Sequence, residues 1–191
     1  MENPPPAGTA RGRCRIIGGM SPSTSTPAPS PSTTQPGPRY WLMKNEPDAY
    51  SIDHALAAPN QSIPWDGVRN YQARNYMRDA MQVGDGVLYW HSSCAEPGIY
   101  GIARIAGNLR VDESQFDPAS PYYDPKSPRD KPRWLLLDVQ AVRKTRPLLI
   151  PELREHVALQ EMRVLQRGNR LSITEVTPAE WDYIQRLLTE G

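Results

Sequence analysis

The chain has 191 residues, enough for one ordinary domain with a tail, and its 22 basic and 21 acidic residues nearly cancel. This balance argues against a protein held to nucleic acid mainly by bulk charge. No apolar run approaches the roughly 18–20 residues of a membrane span. The two cysteines, Cys14 and Cys94, fit neither a metal motif nor a disulfide scaffold. We therefore expect a soluble protein of the cytoplasm with no cofactor and no metal.

The first 38 residues differ in composition from the rest of the chain. Pro, Ser, Thr, Gly and Ala dominate them, and no aromatic residue is present. Such a segment cannot bury enough apolar surface to offset the entropy lost on ordering it. We predict a disordered tail over 1–38, in which Met20 offers an alternative translation start, and a folded domain over 39–191.

Periodicity and turn residues divide the domain into short elements. They predict strands at 39–45, 83–92, 98–107, 133–145 and 170–176, and helices at 51–58, 70–80, 151–160 and 177–188. Ser51 is placed to cap one helix, and Thr177 with Glu180 forms a capping box for another. The proline-rich residues 112–133 predict a long irregular loop. We expect an α+β domain of about five or six strands, arranged as a small mixed β-barrel with flanking short helices.

The stretch WDGVRNYQARNYMRD at 65–79 is rich in aromatic rings, arginines and amides. Helical spacing places two stripes on it: Tyr71, Arg74, Asn75 and Arg78 on one, and Ala73, Met77, Ala80 and Met81 on the predicted core face. Trp65 stands in a polar turn, where a ring is suited to the wall of a cavity. Arg69 and Asn70 lie at the helix start, where backbone N–H groups are free for a ligand. Trp90, Trp134 and Trp181 are expected in the core.

Two groups of residues raise the alternative of an enzyme. His91, Ser92 and Cys94 combine a base with nucleophiles, but neighbours on an extended chain point to opposite faces. Lys44 and Glu46 lie two residues apart on a strand, hence on one face, where they would serve as proton donor and acceptor or form a surface ion pair.

Several blocks of the sequence resemble the EVE domain, known from bacterial EVE proteins. They are YWLMKNEP (40–47), WDGVRNYQARNYM (65–77), LYWHSS (88–93), PGIYGIARI (97–105) and RGNRLSITEVTPAEW (167–181). The resemblance implies a PUA-like fold, related to the PUA, ASCH, YTH and SRA domains, and binding of modified bases in nucleic acid without known catalysis. One departure is Tyr89–Trp90 in place of the family's Phe-Tyr, which leaves the pocket size open.

Carried over by the resemblance, the ligand cleft draws on four blocks. Its residues are Lys44, Glu46, Trp65, Val68, Arg69, Asn70, Tyr89, His91, Ser92, Arg170, Leu171 and Ser172. We expect a non-enzymatic module that recognises a modified nucleobase, a cytosine derivative, in DNA or RNA. Trp65 would stack on or wall the base, Arg69 and Asn70 would recognise its polar edge, and Tyr89 and His91 would complete the cavity. The basic segment 126–146 would contact backbone phosphate.

Two alternatives remain open at this point. One is an ASCH-like amidohydrolase that acts on modified nucleosides and uses Lys44 with Glu46. The other is a general PUA-type RNA-binding module, which would bind unmodified RNA with a steep salt dependence. We expect a monomer with no membrane partner in each case.

Overall fold

A computed structural model describes residues 37–190, so the predicted tail, Cys14 included, lies outside the described residues except for its last two positions. The strands are β1 (Tyr40–Asn45), β2 (Ser62–Trp65), β3 (Gly86–His91), β4 (Gly98–Ile105), β5 (Arg110–Val111), β6 (Leu135–Leu149) and β7 (Ile173–Val176). The α-helices are α1 (Pro47–Tyr50), α2 (Ile52–Ala57), α3 (Tyr71–Asp79), α4 (Ile150–Glu155) and α5 (Pro178–Glu190). Short 3-10 helices lie at Pro59–Gln61, Glu113–Phe116, Val157–Leu159 and Arg163–Leu165.

One mixed sheet joins all seven strands. Its order is β2-β6-β4-β3-β1-β7, and β5 pairs with β6. Strand β1 runs parallel to β3 and antiparallel to β7, and the remaining pairs are antiparallel. The α+β class is confirmed. The path of paired strands has two ends, β2 and β7, so within residues 37–190 the sheet is not closed into a barrel.

Two of the seven strands, β2 and β5, were not among the strands predicted from the sequence. Strand β2 has four residues and contains Pro64, and β5 has only two residues. Neither is long enough to show a clear alternation of apolar and polar side chains. Both pair with β6, which was predicted at 133–145 and extends to Leu149.

The central strands are buried on both faces. In β1, Trp41 and Met43 belong to one apolar cluster and Leu42 to the other. Successive side chains of a strand point to opposite faces, which explains the nearly continuous apolar run. Helices α2 and α3 contribute to the first cluster, and α4 and α5 to the second. Of the predicted core face of α3, Ala73 and Met77 are buried, whereas Ala80 and Met81 follow the helix end and are partly buried against the same cluster.

The predicted helix caps are present, although some helices begin or end at other residues than predicted. Ser51 caps α2 by accepting a hydrogen bond from the backbone N–H of His54 at 3.1 Å. Both bonds of the Thr177–Glu180 capping box are present, at 2.7 and 3.2 Å. The helix predicted over 151–160 ends at Glu155, because His156 adopts an extended backbone conformation before the next 3-10 turn.

The predicted core positions of the tryptophans are mostly confirmed. Trp90 and Trp134 are buried, whereas Trp181 is partly buried and stacks on Tyr40 at 4.4 Å between ring centroids. No helix in residues 37–190 is long and apolar enough to cross a membrane. In the same residues no group of His, Cys, Asp and Glu is arranged to hold a metal ion.

Candidate functional site

A cavity of about 660 Å³ opens at the carboxyl ends of β1 and β3. The two strands are parallel, so their ends meet at one edge, where the Ser92 backbone N–H donates to the Asn45 carbonyl at 2.8 Å. The Lys44 N–H donates to the Ser172 carbonyl at 2.8 Å and ties in the segment before β7. The segment after β2 forms the remaining wall. The volume falls within the range of about 300–1,000 Å³ typical of ligand pockets.

Seven of the twelve predicted site residues line this cavity. They are Lys44, Glu46, Trp65, Val68, Ser92, Arg170 and Ser172. They come from segments up to 128 residues apart, as the span from Lys44 to Ser172 shows. The lining also includes residues that the sequence analysis missed: Asn45, Ala49, Tyr50, Asp66, Gly67, Ser93 and Tyr122.

Lys44 and Glu46 lie in different environments on the same wall. Burial lowers the pKa of the Lys44 ammonium, whereas Glu46 is exposed. Among the ion pairs within residues 37–190, none joins the two side chains. The surface ion pair considered from the sequence is therefore not formed. The cavity offers a cation and a carboxylate that do not satisfy each other.

Trp65 is part of the wall rather than an open platform. It ends β2, is only 4% exposed, and packs edge to face against Tyr89 at 5.3 Å between ring centroids. Tyr122, from the proline-rich loop, is 39% exposed and presents far more ring surface. A Cβ added at Gly67 would lie 2.5 Å from the Tyr122 Cζ atom, so the ring rests directly on this glycine. Gly67 also has a left-handed φ of 68°, which suits glycine.

Arg69 holds the proline-rich loop instead of facing the cavity. Its guanidinium forms an ion pair with Asp112 at 2.7 Å and donates to the Ser114 hydroxyl at 2.9 Å and the Tyr122 carbonyl at 2.7 Å. Burial alone would raise the pKa of Asp112, but hydrogen bonds from Ser114 and Arg69 and the charge of Arg69 outweigh it, so this pKa lies below the ordinary value. All of these contacts fix the loop that carries Tyr122.

Asp66, beside Gly67, is the second carboxyl group of the cavity. Its pKa is raised, first by burial and then by the nearby negative charge of Asp112. The backbone N–H of Gly67 donates to Asp112 at 3.1 Å, so that buried carboxylate fixes the turn on which Asp66 stands.

Four other predicted residues lie outside the cavity lining. Asn70 caps α3, because its side chain accepts from the backbone N–H groups of Gln72 and Ala73 at 2.9 and 3.1 Å. The Tyr89 hydroxyl donates to the Tyr50 carbonyl at 2.8 Å behind Trp65, and burial raises its pKa. His91 and Leu171 are the other two.

His91 is buried beside α2. Its Nε2 atom accepts the Ile52 N–H at 3.1 Å, its ring stacks on Tyr100 at 4.1 Å between centroids, and burial lowers its pKa. The Nε2 atom of His91 is thus engaged with the backbone of α2. Leu171 lines a neighbouring cleft together with Arg170.

The basic segment 126–146 is largely paired with acidic groups. Arg133 lies 3.8 Å from Asp124, Lys144 lies 2.7 Å from Asp53, and Arg146 lies 2.9 Å from Glu152. Contact of this segment with phosphate stays a prediction, and these pairs would have to open for it.

Comparisons with known proteins agree along nearly the whole described chain. The family model of the EVE domain matches residues 39–187. Thymocyte nuclear protein 1 of Homo sapiens is 40% identical over 166 residues, which cover 78% of this chain and 73% of that protein. The same protein of Gallus gallus is 38% identical over 169 residues, with 79% of this chain and 69% of that protein covered.

Solved structures of similar proteins also match most of the chain. A Pseudomonas putida protein is 46% identical with a TM-score of 0.73, covering 78% of this chain and 98% of that one. Human THYN1, solved in complex with DNA that contains 5-methylcytosine, is 40% identical with a TM-score of 0.74, covering 78% of this chain and 96% of that one. These matches show that the chain belongs to the EVE domain family.

Proposed function

We propose that this chain binds a modified cytosine base in DNA, taken out of the helix into the cavity at the ends of β1 and β3. The observation that carries the proposal is that one cavity is lined by a half-buried ammonium, Lys44, by an exposed carboxylate, Glu46, with which it forms no ion pair, and by aromatic side chains. The human THYN1 structure with 5-methylcytosine-containing DNA supports the same ligand class for a relative at 40% identity.

Lys44 and Glu46 together match the polar edge of cytosine. The exocyclic amino group of cytosine is a donor, and a carboxylate is the side chain that suits it. The ring nitrogen and carbonyl oxygen beside it are acceptors, which an ammonium group satisfies. A thymine or uracil presents a carbonyl where cytosine has the amino group, so Glu46 would meet an acceptor and repel it. The pair therefore favours cytosine and its derivatives.

Trp65 and Tyr122 would supply the apolar contacts. Stacking a base on an aromatic ring is typically worth about 1–3 kcal/mol, and extruding a base from a duplex costs a few kcal/mol. These two quantities roughly cancel. Net affinity and base identity then depend on the hydrogen bonds that Lys44 and Glu46 make with the base edge.

Recognition of the modification itself depends on its chemistry. One methyl group buried in an apolar environment contributes about 0.8 kcal/mol, which corresponds to about fourfold discrimination. An oxidised or amino substituent that forms a hydrogen bond in the cavity would be discriminated more strongly. We therefore expect a modest preference for 5-methylcytosine over cytosine from burial of the methyl group alone.

A second candidate function is hydrolysis of an amide on a modified nucleoside. The lowered pKa of Lys44 favours it, because a less basic amine is more readily neutral and able to accept a proton. This activity would use the same cavity, so a single set of variants separates the two functions.

The test is a binding titration with matched oligonucleotides that carry cytosine, 5-methylcytosine or 5-hydroxymethylcytosine in DNA, and their RNA counterparts. Glu46→Gln keeps the size of the side chain and removes its charge; Asp48→Asn is the control, because Asp48 is exposed on α1 and outside the lining. We expect a preference for modified DNA and about tenfold weaker binding by E46Q alone.

Two outcomes would contradict this proposal. Equal, strongly salt-dependent binding of every DNA and RNA oligonucleotide would instead support a general PUA-type module. Turnover of an acylated cytidine by the wild type, abolished by Lys44→Ala, would support the amidohydrolase.

A further inference from the structure

A second, smaller cleft of about 310 Å³ adjoins the base-binding cavity and is lined by three arginines, Arg163, Arg167 and Arg170. Arg170 lines both hollows, so the two are neighbours on the surface. No acidic residue contributes to the lining of the cleft. The cleft therefore places positive charge beside the cavity, and no carboxylate in the lining of the cleft compensates that charge.

The three guanidinium groups are free within the part of the chain that the structure describes. All three residues are exposed, and none of their side chains takes part in an ion pair or donates a hydrogen bond in residues 37–190. By contrast, Arg69 and Arg110, which also lie in the described chain, are each 2.7 Å from a carboxylate. A solvated arginine beside a ligand cavity can contact an anion without first breaking an internal pair.

The backbone beneath these arginines is braced by neutral amides. The Asn169 side chain donates to the Arg163 carbonyl at 2.5 Å and accepts from the Leu171 N–H at 3.0 Å. The Gln166 side chain donates to the Gln160 carbonyl at 2.8 Å. The loop is thus held by contacts that do not use the arginine side chains, which leaves their donors for an external partner.

We propose that the cleft of Arg163, Arg167 and Arg170 binds the backbone phosphates of DNA next to the extruded base. The inference rests on the proposed function, since it needs a nucleic acid whose base occupies the cavity. Contacts to phosphate fix the position of a protein on a duplex and carry no base identity. The cleft therefore contributes affinity and fixes the position of the protein along the DNA, whereas the cavity determines which base is bound.

The salt dependence of binding tests this division. Each phosphate contact contributes about one to the slope of log affinity against log salt concentration. We expect Arg163→Ala and Arg167→Ala each to reduce that slope by about one and the double variant by about two. The ratio of affinities for 5-methylcytosine and cytosine duplexes should stay at its wild-type value in all three variants.

Arg154→Ala is the matched control, because Arg154 is exposed on α4 and lines neither hollow, yet its loss changes the net charge equally. An unchanged slope in the cleft variants, or an equal drop in R154A, overturns the phosphate cleft. A changed base preference in the cleft variants also overturns it, since the arginines would then recognise the base. A wild type without any base preference is a different result, and it refutes the proposed function instead.

Discussion

Replacement of Tyr122 by alanine should weaken binding of modified DNA while leaving the fold in place. The ring is 39% exposed at the cavity, and the loop beneath it is held through the backbone, where the Tyr122 carbonyl accepts from Arg69 at 2.7 Å. This anchor survives in the alanine variant. The Arg69 guanidinium also lies 5.4 Å from the ring centroid, a contact worth about 0.5–1 kcal/mol at an exposed site. The free energy of unfolding should therefore fall by about 1 kcal/mol at most.

The expected loss in binding is larger. If the ring stacks on the base, its removal costs about 1–3 kcal/mol. This cost corresponds to an increase in Kd of between about fivefold and about 150-fold. Tyr122→Phe should bind close to the wild-type level because it keeps the ring. The assay is a fluorescence titration of a duplex with one 5-methylcytosine, alongside thermal unfolding of each variant.

The neighbouring residue offers a matched control for this experiment. Tyr123 is 42% exposed, nearly the same as Tyr122, but it lies outside the cavity lining. Tyr123→Ala should leave Kd within about twofold of the wild type, since surface changes away from special features have small effects. Equal binding by Y122A and Y123A would refute the reasoning that the exposed ring of the loop contacts the base.

Three further predictions concern the frame of the cavity. Gly67→Ala should displace the Tyr122 ring and weaken DNA binding. Gly84→Ala is its control, because Gly84 also has a positive φ but has open space around it; this variant should lower stability and leave the affinity for DNA unchanged. Asn70→Ala should cost about 1 kcal/mol of stability through the lost helix cap and leave the affinity for modified DNA unchanged. The pKa of Asp112 lies below its ordinary 3.8, so the stability it contributes is present above pH 3.8 and lost as the pH falls through its folded value; acid unfolding should be steeper in the wild type than in Asp112→Asn.

Helix α3 shows what sequence periodicity can and cannot assign. The spacing of Ala73 and Met77 predicted the buried face, and both residues are buried. The same stretch suggested Asn70 as a ligand donor, although asparagine before a helix is a preferred cap and caps it here. The cap preference was available from the sequence and is the better explanation of this residue.

Partners distant in the chain set the limit of the sequence analysis. Arg69 pairs with Asp112, 43 residues away, and this contact turns an expected base-recognising side chain into the anchor of a loop. No local spacing indicates such a pair. Tyr122 lies in a loop whose length already suggested a function, but only the fold places its ring on Gly67.

Trp65 changes how the site should be tested. As a residue 4% exposed in the core, it would cost about 3–5 kcal/mol of stability if replaced by alanine. Loss of binding in that variant could therefore result from unfolding as well as from the loss of a side chain that lines the cavity. Exposed lining residues such as Tyr122 and Glu46 separate binding from folding, and they are the better targets.

The most direct test of the central claim is a comparison of amide chemical shifts in the wild-type chain, titrated with duplexes that differ by one 5-methyl group. We predict that the shifts that differ between the two titrations centre on residues 44–46, 65–68, 92–93 and 122, around the cavity. Differences centred instead on the separate hollow at 37–41 and 175–178, or no difference between the two duplexes, would contradict a base-binding cavity at the ends of β1 and β3.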